Sequence, residues 1–491
     1  MNTSISITAR LFLRTVVSLV TKRLSAPWRR VGVFLLLWVL GVPCLLCVGC
    51  GADDGATSGP DATIPGDAAT GDGGQGADGA LPDASPGPQV CAAGAEGLEC
   101  LFESHAEVAA SCDSAALQAF RESLEARHGW LPAWHEGEAL FVTYNDPAAV
   151  AGEFNEWDPD AASTTQLCGS EIYTALVPVP SGRWPYKLVA YDVWVLDPLN
   201  WAFAYDEYQG NPDGRNSVLN TYDSGVGHLM SPEELVCSTD LDNCRPFTTY
   251  LPPGYGAPEN AQKTYPVLFM HDGQNIYDDK DCCFGHTGWE INVTLDQEIA
   301  QGNLQEVVVV GFDHAGAARG DEYAYSVEDG GLQEIFMDFQ VHTVQPTAET
   351  YWRLDPSRTY VAGSSFGGLI SFRLALEYPD TYVGAASLSG AFWPGQDTGT
   401  AFRDRITATG YVSCALYMDH GGTEQDGGDG YADNIEVRDL LVDTGWEMSV
   451  SPDCSPSPTT LCYYHDVGAT HDELAWRDRA WRFLSYFFAA P

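Results

Sequence analysis

The stretch Thr359-Tyr360-Val361-Ala362-Gly363-Ser364-Ser365-Phe366-Gly367-Gly368-Leu369 decides how this chain is read. Thr359 to Ala362 is a short apolar, β-favouring run, which predicts a buried strand. From Leu369 to Glu377 the spacing predicts a helix. Between them lies Gly-x-Ser-x-Gly, with Ser365 in the middle. Glycines permit a tight turn and close packing there, and the turn lifts Ser365 above the sheet edge as a nucleophile. In a chain with 50 glycines the five-residue pattern alone says little. Its setting, strand then turn then helix, carries the weight.

Working outward, Val267-Leu268-Phe269-Met270, Val307 to Val310 and Ala385 to Leu388 are further short apolar runs. Helix-like segments separate them, among them Leu332 to Val344. This alternation predicts parallel strands with crossover helices over residues 245–491. A serine hydroxyl needs a base to take its proton. In a strand–turn–helix setting of this kind the chain order is nucleophile, acid, histidine. Three histidines follow Ser365: His420, His465 and His471. His465 falls inside a predicted strand, Leu461 to His465. His471 lies in a loop just before a terminal amphipathic helix, which suits the base. For the acid, the loop Gly421-Gly422-Thr423-Glu424 follows the strand Leu416 to Asp419, and Glu424 leads. Asp426 comes second; Asp429 and Asp433 are also within reach. The acid-rich loop is otherwise a solvated segment or a calcium site. A tetrahedral oxyanion needs backbone donors. The Phe366 amide is one, and the loop after the strand Val267 to Met270 should supply the other.

Composition bounds the rest. The chain has 491 residues, enough for two or three domains, with 45% hydrophobic and 12% aromatic residues to build cores. It carries 24 Lys+Arg against 68 Asp+Glu, a net charge of −44. Phosphate backbones require a basic footprint, so nucleic acid is excluded as a partner. Residues 1–50 hold six basic residues and no acidic one, then the apolar run Val31 to Val48. This predicts an export signal or signal anchor. It ends Leu46-Cys47-Val48-Gly49-Cys50, which resembles a bacterial lipobox with Cys50 lipidated, although Cys47 stands where leucine is usual. A membrane-anchored, cell-envelope location is the expectation. Residues 51–90 are Gly, Ala, Asp and Pro, a flexible spacer. Residues 91–130 form a small cysteine-containing helical segment. Three of the 14 cysteines lie in the signal region; the other eleven include close pairs such as Cys237/Cys244 and Cys454/Cys462, expected as disulfides. Eleven is odd, so one thiol is expected to stay free. No spacing for zinc is present.

Residues 131–222 read as short strands, including Ala139 to Tyr144, Glu171 to Leu176 and a hairpin around Tyr191-Asp192. Val150-Ala151-Gly152-Glu153-Phe154-Asn155-Glu156-Trp157 resembles the V-x-G-x-F-N-x-W signature of early-set, glycogen-binding-type modules, and Trp184, Trp194 and Asn216-Ser217-Val218 continue that order. The resemblance implies a small all-β Ig-like sandwich. Trp157 and Trp184 are expected in its core rather than on a sugar.

A second resemblance covers about residues 245 to 488. Leu251-Pro252-Pro253-Gly254-Tyr255, His271-Asp272-Gly273-Gln274-Asn275, Gly288-Trp289, Arg319 with Glu322-Tyr323, Gly363 to Gly368, Gly421-x-x-Glu424 and His471 with Trp476 resemble the esterase D / enterochelin esterase-like family. This implies an α/β-hydrolase using Ser365, Glu424 and His471 on a carboxylic ester, without metal or organic cofactor. Asp272-Gly273-Gln274 is also similar to the oxyanion loop of mycolyltransferases, which implies the Gln274 amide as second donor. The resemblance places Asp272, Arg319 and Tyr323 near the substrate cleft, with Arg319 free to pair with Glu322. The expected function is exported ester hydrolysis through an acyl-enzyme, on small or glycan-linked feruloyl or acetyl esters. The alternatives are a siderophore esterase, an acyltransferase, and a glycan-binding surface protein with an inactive hydrolase domain.

Overall fold

The computed structural model describes residues 89–491 apart from 207, 209, 281 and 284–286. The expected signal segment, Cys50 and nearly all of the expected spacer lie outside the described residues. The first elements are two helices, Leu98–Ser111 and Ser114–Glu125. Asp113 caps the second by accepting from the amides of Ala115 and Ala116, both at 2.9 Å. They bury Leu101 and Phe120 against Leu140, Val142 and Ile172, and the Cys112–Cys168 disulfide ties them to the strands that follow.

Those strands are β1 (Ala133–His135), β2 (Glu138–Tyr144), β3 (Ala149–Gly152), β4 (Thr165–Gln166), β5 (Ile172–Pro178), β6 (Arg183–Ala190), β7 (Val193–Val195), β8 (Ala202–Tyr205), β9 (Arg215–Asn220) and β10 (His228–Met230). One sheet has the order β1-β2-β5-β4. Between it and the strands β3 and β6 lies a shared core of Phe141, Val150, Val177, Tyr186 and Leu188. The β6–β7 hairpin turns at Tyr191 and Asp192, with φ of 52° and 61°, the left-handed pair that suits strand twist. Trp184 is half-buried against this core; Trp157, equally half-buried, packs instead with the more exposed Trp194, ring centres 6.2 Å apart, outside it. The expectation that both tryptophans are core therefore fails for Trp157.

A short two-stranded ribbon follows, β11 (Val236–Ser238) and β12 (Asn243–Arg245), closed by Cys237–Cys244. The remaining strands are β13 (Phe247–Leu251), β14 (Tyr265–His271), β15 (Val308–Phe312), β16 (Leu354–Ser364), β17 (Gly384–Leu388), β18 (Ala415–His420), β19 (Glu447–Val450) and β20 (Thr460–His465). Their order is β19-β20-β18-β17-β16-β14-β15-β13. All pairings are parallel except β13 against β15. Every residue of β14, β15 and β17 is buried, as strands covered by helices on both faces must be. Mixed sheet and flanking helices are those of an α/β-hydrolase. The predicted helix at Leu332 to Val344 runs further, as Gln333–Phe339, a π-turn Gln340–Val344 and Gln345–Tyr351.

The sequence suggests a sandwich separate from the hydrolase region. The structure instead joins them in one sheet. β10 pairs with β13 on one side and β8 on the other, so the order continues β13-β10-β8-β9-β6-β3. Strand β10 is only three residues long, too short to stand out as a periodic signal. It covers the otherwise open edge of β13. Ten of the described cysteines form five disulfides, and Cys414, under Trp446, is the buried free thiol.

An uncovered strand edge is a template for association. A chain cut to residues 245–491 should therefore elute as larger species than one spanning 89–491, by size exclusion with light scattering. A monodisperse fragment no more associated than the longer chain would contradict the continuous sheet.

Candidate active site

Ser365 terminates β16 and opens the helix Phe366–Glu377. Its backbone has φ 56° and ψ −124°, a conformation that non-glycine residues avoid and that marks strained functional turns. Two bonds tie it to the end of β17 and the loop beyond: its N–H donates to Leu388 O and its carbonyl accepts from Ala391 N–H, each at 3.0 Å. The turn needs glycine where the chain crosses itself. A Cβ on Gly363 would meet the Gly367 carbonyl carbon at 2.6 Å. Ser365 is half-buried, at the carboxyl end of the sheet, where open α/β sheets place their ligands.

The Phe366 amide heads the helix, so it belongs to the first-turn N–H groups that have no partner within the helix. Gln274 sits in the short 3₁₀ turn Gly273–Asn275, entered through Asp272 at φ 60°. Its amide is likewise in a first turn, and its side-chain oxygen accepts from His314 N–H at 3.3 Å. The loop is tied to the Ser365 helix from below. His271, fully buried, lies 2.9 Å from Ser371 Oγ through Nδ1 and 2.8 Å from Gln340 Oε1 through Nε2. Burial holds its pKa down to about 4, so it stays neutral and structural.

Arg319 does not pair with Glu322. It grips Asp272 bidentately, Nε to Oδ1 at 2.6 Å and Nη2 to Oδ2 at 2.7 Å. Glu322 points inward on the same short helix, fully buried, and pairs with Arg245 at 2.8 Å. Arg319 lies 5.5 Å over the Phe366 ring and 5.5 Å over Tyr323, which is itself buried. The cleft residues expected from the family resemblance are thus brought together beside Phe366. One strand over, Asp313 is pushed up to about 7 by burial and then by the Asp272 charge.

The carboxylate that the structure brings to His471 is Asp429, not Glu424, which leads the expectation. His471 Nδ1 is 2.6 Å from Asp429 Oδ1. Glu424 and Asp426 are exposed, and Asp426 is occupied within its own turn, accepting from Thr423 N–H at 2.9 Å and Gly428 N–H at 2.8 Å. The loop folds back on itself, Gly427 N–H donating to Thr423 O, so that the residue eight beyond Gly421 returns beneath it. There Asp429 Oδ2 accepts from Gly421 N–H and from Ser389 Oγ, the latter at 2.6 Å. Ser389 Oγ in turn accepts from Trp476 Nε1 at 2.9 Å and from Arg479 Nη2. Trp476 packs edge-on against the His471 ring, 5.0 Å between centres. His465 ends β20 and contacts Gly422 O at 3.0 Å, a structural position. Among the described residues no hydrogen bond joins the Ser365 hydroxyl to His471. They are connected through Leu388-Ser389, which holds Ser365 by its backbone and Asp429 by its side chain.

Arg479 is the residue that sequence reasoning missed. It is 1% exposed and pairs with Asp419 at 2.8 Å, with Asp429 Oδ2 at 3.7 Å. Burial pulls its pKa down, but Asp419 and Asp429 together hold it above its ordinary value. Burial pushes Asp419 up to about 6 against the pull of Arg479. Tyr417 closes the network by donating to Asp419 at 2.9 Å. A signal was present: Trp476, Ala480 and Phe483 set the buried face of the last helix, and Arg479 falls on it. A charge on a buried helix face requires a buried partner.

Removing one member of a buried ion pair leaves the other uncompensated. Arg479→Met should therefore lower stability by about 3–5 kcal/mol, read by chemical denaturation. A loss near zero would show that Asp419 and Asp429 do not depend on it.

The family model described as "Putative esterase" matches residues 238–483, half of the chain. An uncharacterised Bacillus subtilis (strain 168) protein, YbbA, is 28% identical over 160 residues, 30% of this chain and 58% of that one. The diacylglycerol acyltransferase/mycolyltransferase Ag85A of Mycobacterium leprae (strain TN) is 25% identical over 142 residues, 29% of this chain and 41% of that one. The matches thus span about three-fifths and two-fifths of the relatives' own lengths. Among solved structures, the enterobactin esterase FES from Shigella flexneri aligns over 74% of this chain and 96% of its own, at 14% identity and a TM-score of 0.40. By the extent of the family match, this chain belongs to the Putative esterase family.

Proposed function

We propose that the protein hydrolyses carboxylic esters through an acyl-enzyme on Ser365. The observation that carries this reading is the Asp429–His471 contact at the same sheet end as the strained Ser365 turn. With Nδ1 committed to Asp429, Nε2 of His471 is the nitrogen left to act as base. It takes the Ser365 proton as Oγ bonds to the ester carbonyl carbon. The amides of Phe366 and Gln274 stabilise the oxyanion. The carbon–oxygen bond to the alcohol then breaks, and His471 gives its proton to the leaving alkoxide. Water repeats the sequence, releasing the acid and free Ser365. Asp429 orients His471 and stabilises the imidazolium that forms.

The wider reading is an exported enzyme, lipid-anchored through Cys50, with residues 131–222 as an early-set Ig-like module. Its support is the basic, then apolar, first fifty residues and the V-x-G-x-F-N-x-W run. The strongly acidic chain favours neutral over anionic esters, such as glycan-linked acetyl or feruloyl groups. A second reading, transfer of the acyl group to a sugar alcohol, is favoured by the likeness to a mycolyltransferase. Product analysis with added acceptor sugars separates the two.

With an activated ester, Ser365→Ala should lower kcat by about 10⁶-fold and Asp429→Asn by about 10³- to 10⁴-fold. Glu424→Gln should change it little. Wild-type turnover by Ser365→Ala would end the acyl-enzyme reading, and a deeper loss in Glu424→Gln than in Asp429→Asn would return the acid role to Glu424.

A further inference from the structure

The loop after β17 treats two adjacent aromatic residues in opposite ways. Phe392 is 1% exposed and stacks on Phe402, centres 5.2 Å apart at 20°. Trp393, next along, is 48% exposed. Its ring nonetheless has neighbours: Phe366 at 5.7 Å and the half-buried Tyr325 at 6.4 Å. Phe366 directly follows the nucleophile and is itself only half-buried. The result is an aromatic surface reaching from the Ser365 turn into solvent.

This surface is held in place. Ala391 N–H donates to Ser365 O at 3.0 Å, and Asn434 Nδ2 donates to Gly390 O at 2.8 Å. Further along, Gln396 Nε2 donates to Asp433 at 2.9 Å, and Thr400 donates to Asp329. A surface fixed before binding saves the ordering cost that weakens flexible sites. An indole left half in water also forgoes apolar burial, at about 25 cal/mol per Å². A planar ring laid on it recovers that burial and adds a stacking contribution. The charge nearby is already matched, since Arg319 over Phe366 is held bidentately by Asp272. The surface therefore offers no unmatched cation to an anionic ring.

We propose that Trp393 and Phe366 form a stacking platform for a neutral aryl group of the ester, with Trp393 setting preference for aryl over alkyl substrates. This rests on the esterase reading of the same site. Two ester pairs test it: methyl cinnamate against methyl hexanoate, with the aryl group in the acyl part, and phenyl acetate against ethyl acetate, with it in the alcohol part. Trp393→Leu keeps apolar bulk without a ring. It should lower the aryl-to-alkyl ratio of kcat/KM about three- to tenfold in one pair, and Trp393→Phe should retain most of that ratio. The responsive pair tells which side of the ester lies on the platform. An unchanged ratio in both pairs overturns the proposal.

Binding is measured separately, by titration calorimetry of methyl cinnamate and phenyl acetate onto Ser365→Ala. Adding Trp393→Leu should weaken at least one of them; equal affinities for both also overturn the proposal. If the wild type turns over none of the four esters, the esterase reading fails, while calorimetry still decides the platform.

Discussion

A carboxylate with no exposure to water has to be compensated, and the site is arranged around that requirement. Asp429 is the group concerned. One oxygen faces His471, and the other takes Ser389, the Gly421 amide and, at longer range, Arg479. Each partner comes from a different part of the fold: the end of β17, the loop after β18, and the terminal helix. None can shift without leaving Asp429 short of a donor. The low-dielectric surroundings that make burial costly also strengthen its hold on His471. Arg479 cannot serve Asp429 alone, because Asp419 pairs with it more closely, and Asp419 has Tyr417 as a second donor. Asp429 is therefore one end of a buried polar network, running through Ser389, Arg479, Asp419 and Tyr417, that crosses from sheet to helix.

Ser365 is tied to the same network through main chain rather than side chains. Leu388 O receives the Ser365 amide, and Ser389, one residue on, donates to Asp429. Parallel strands β16 and β17 end together, so their loops meet at one edge. The loop Asp272-Gly273-Gln274 joins from the next strand on the other side, β14. On the proposed reading, three neighbouring strand ends would supply nucleophile, support and oxyanion donors, and the loops after β18 and β20 would supply acid and base. The order β20-β18-β17-β16-β14 is thus also the order of the site across the sheet.

How much of this was legible in the chain depends on the range of the interaction. The Ser365 turn was legible because its determinants lie within ten residues: a strand run, glycines at the crossing and a helix run. His471 was legible from its place in a loop just before the terminal helix. The carboxylate partner of His471 was not, since Glu424 and Asp429 sit in one Gly- and Asp-rich loop whose path no local pattern dictates. That path is set by hydrogen bonds to Gly421 and Ser389, contacts spanning eight and forty residues. The joining of the two sheets was hidden for a related reason: β10 is three residues long and its pairing is tertiary. The close disulfides Cys237–Cys244 and Cys454–Cys462 were readable from spacing, but Cys112–Cys168, across 56 residues, was not.

Cys414 sets a condition on how the chain reaches this state. It precedes β18 and lies fully inside, where burial raises its thiol to about 12. A thiolate is the species that attacks a disulfide, so in the finished protein this sulfur is silent. Before β18 is packed, the same sulfur is an ordinary solvent-facing thiol, and each of the ten other described cysteines could pair with it. Correct pairing then favours a sequence of events in which the centre of the sheet closes first and the peripheral crosslinks form afterwards. The hydrophobic core acts as the protecting group for the odd cysteine.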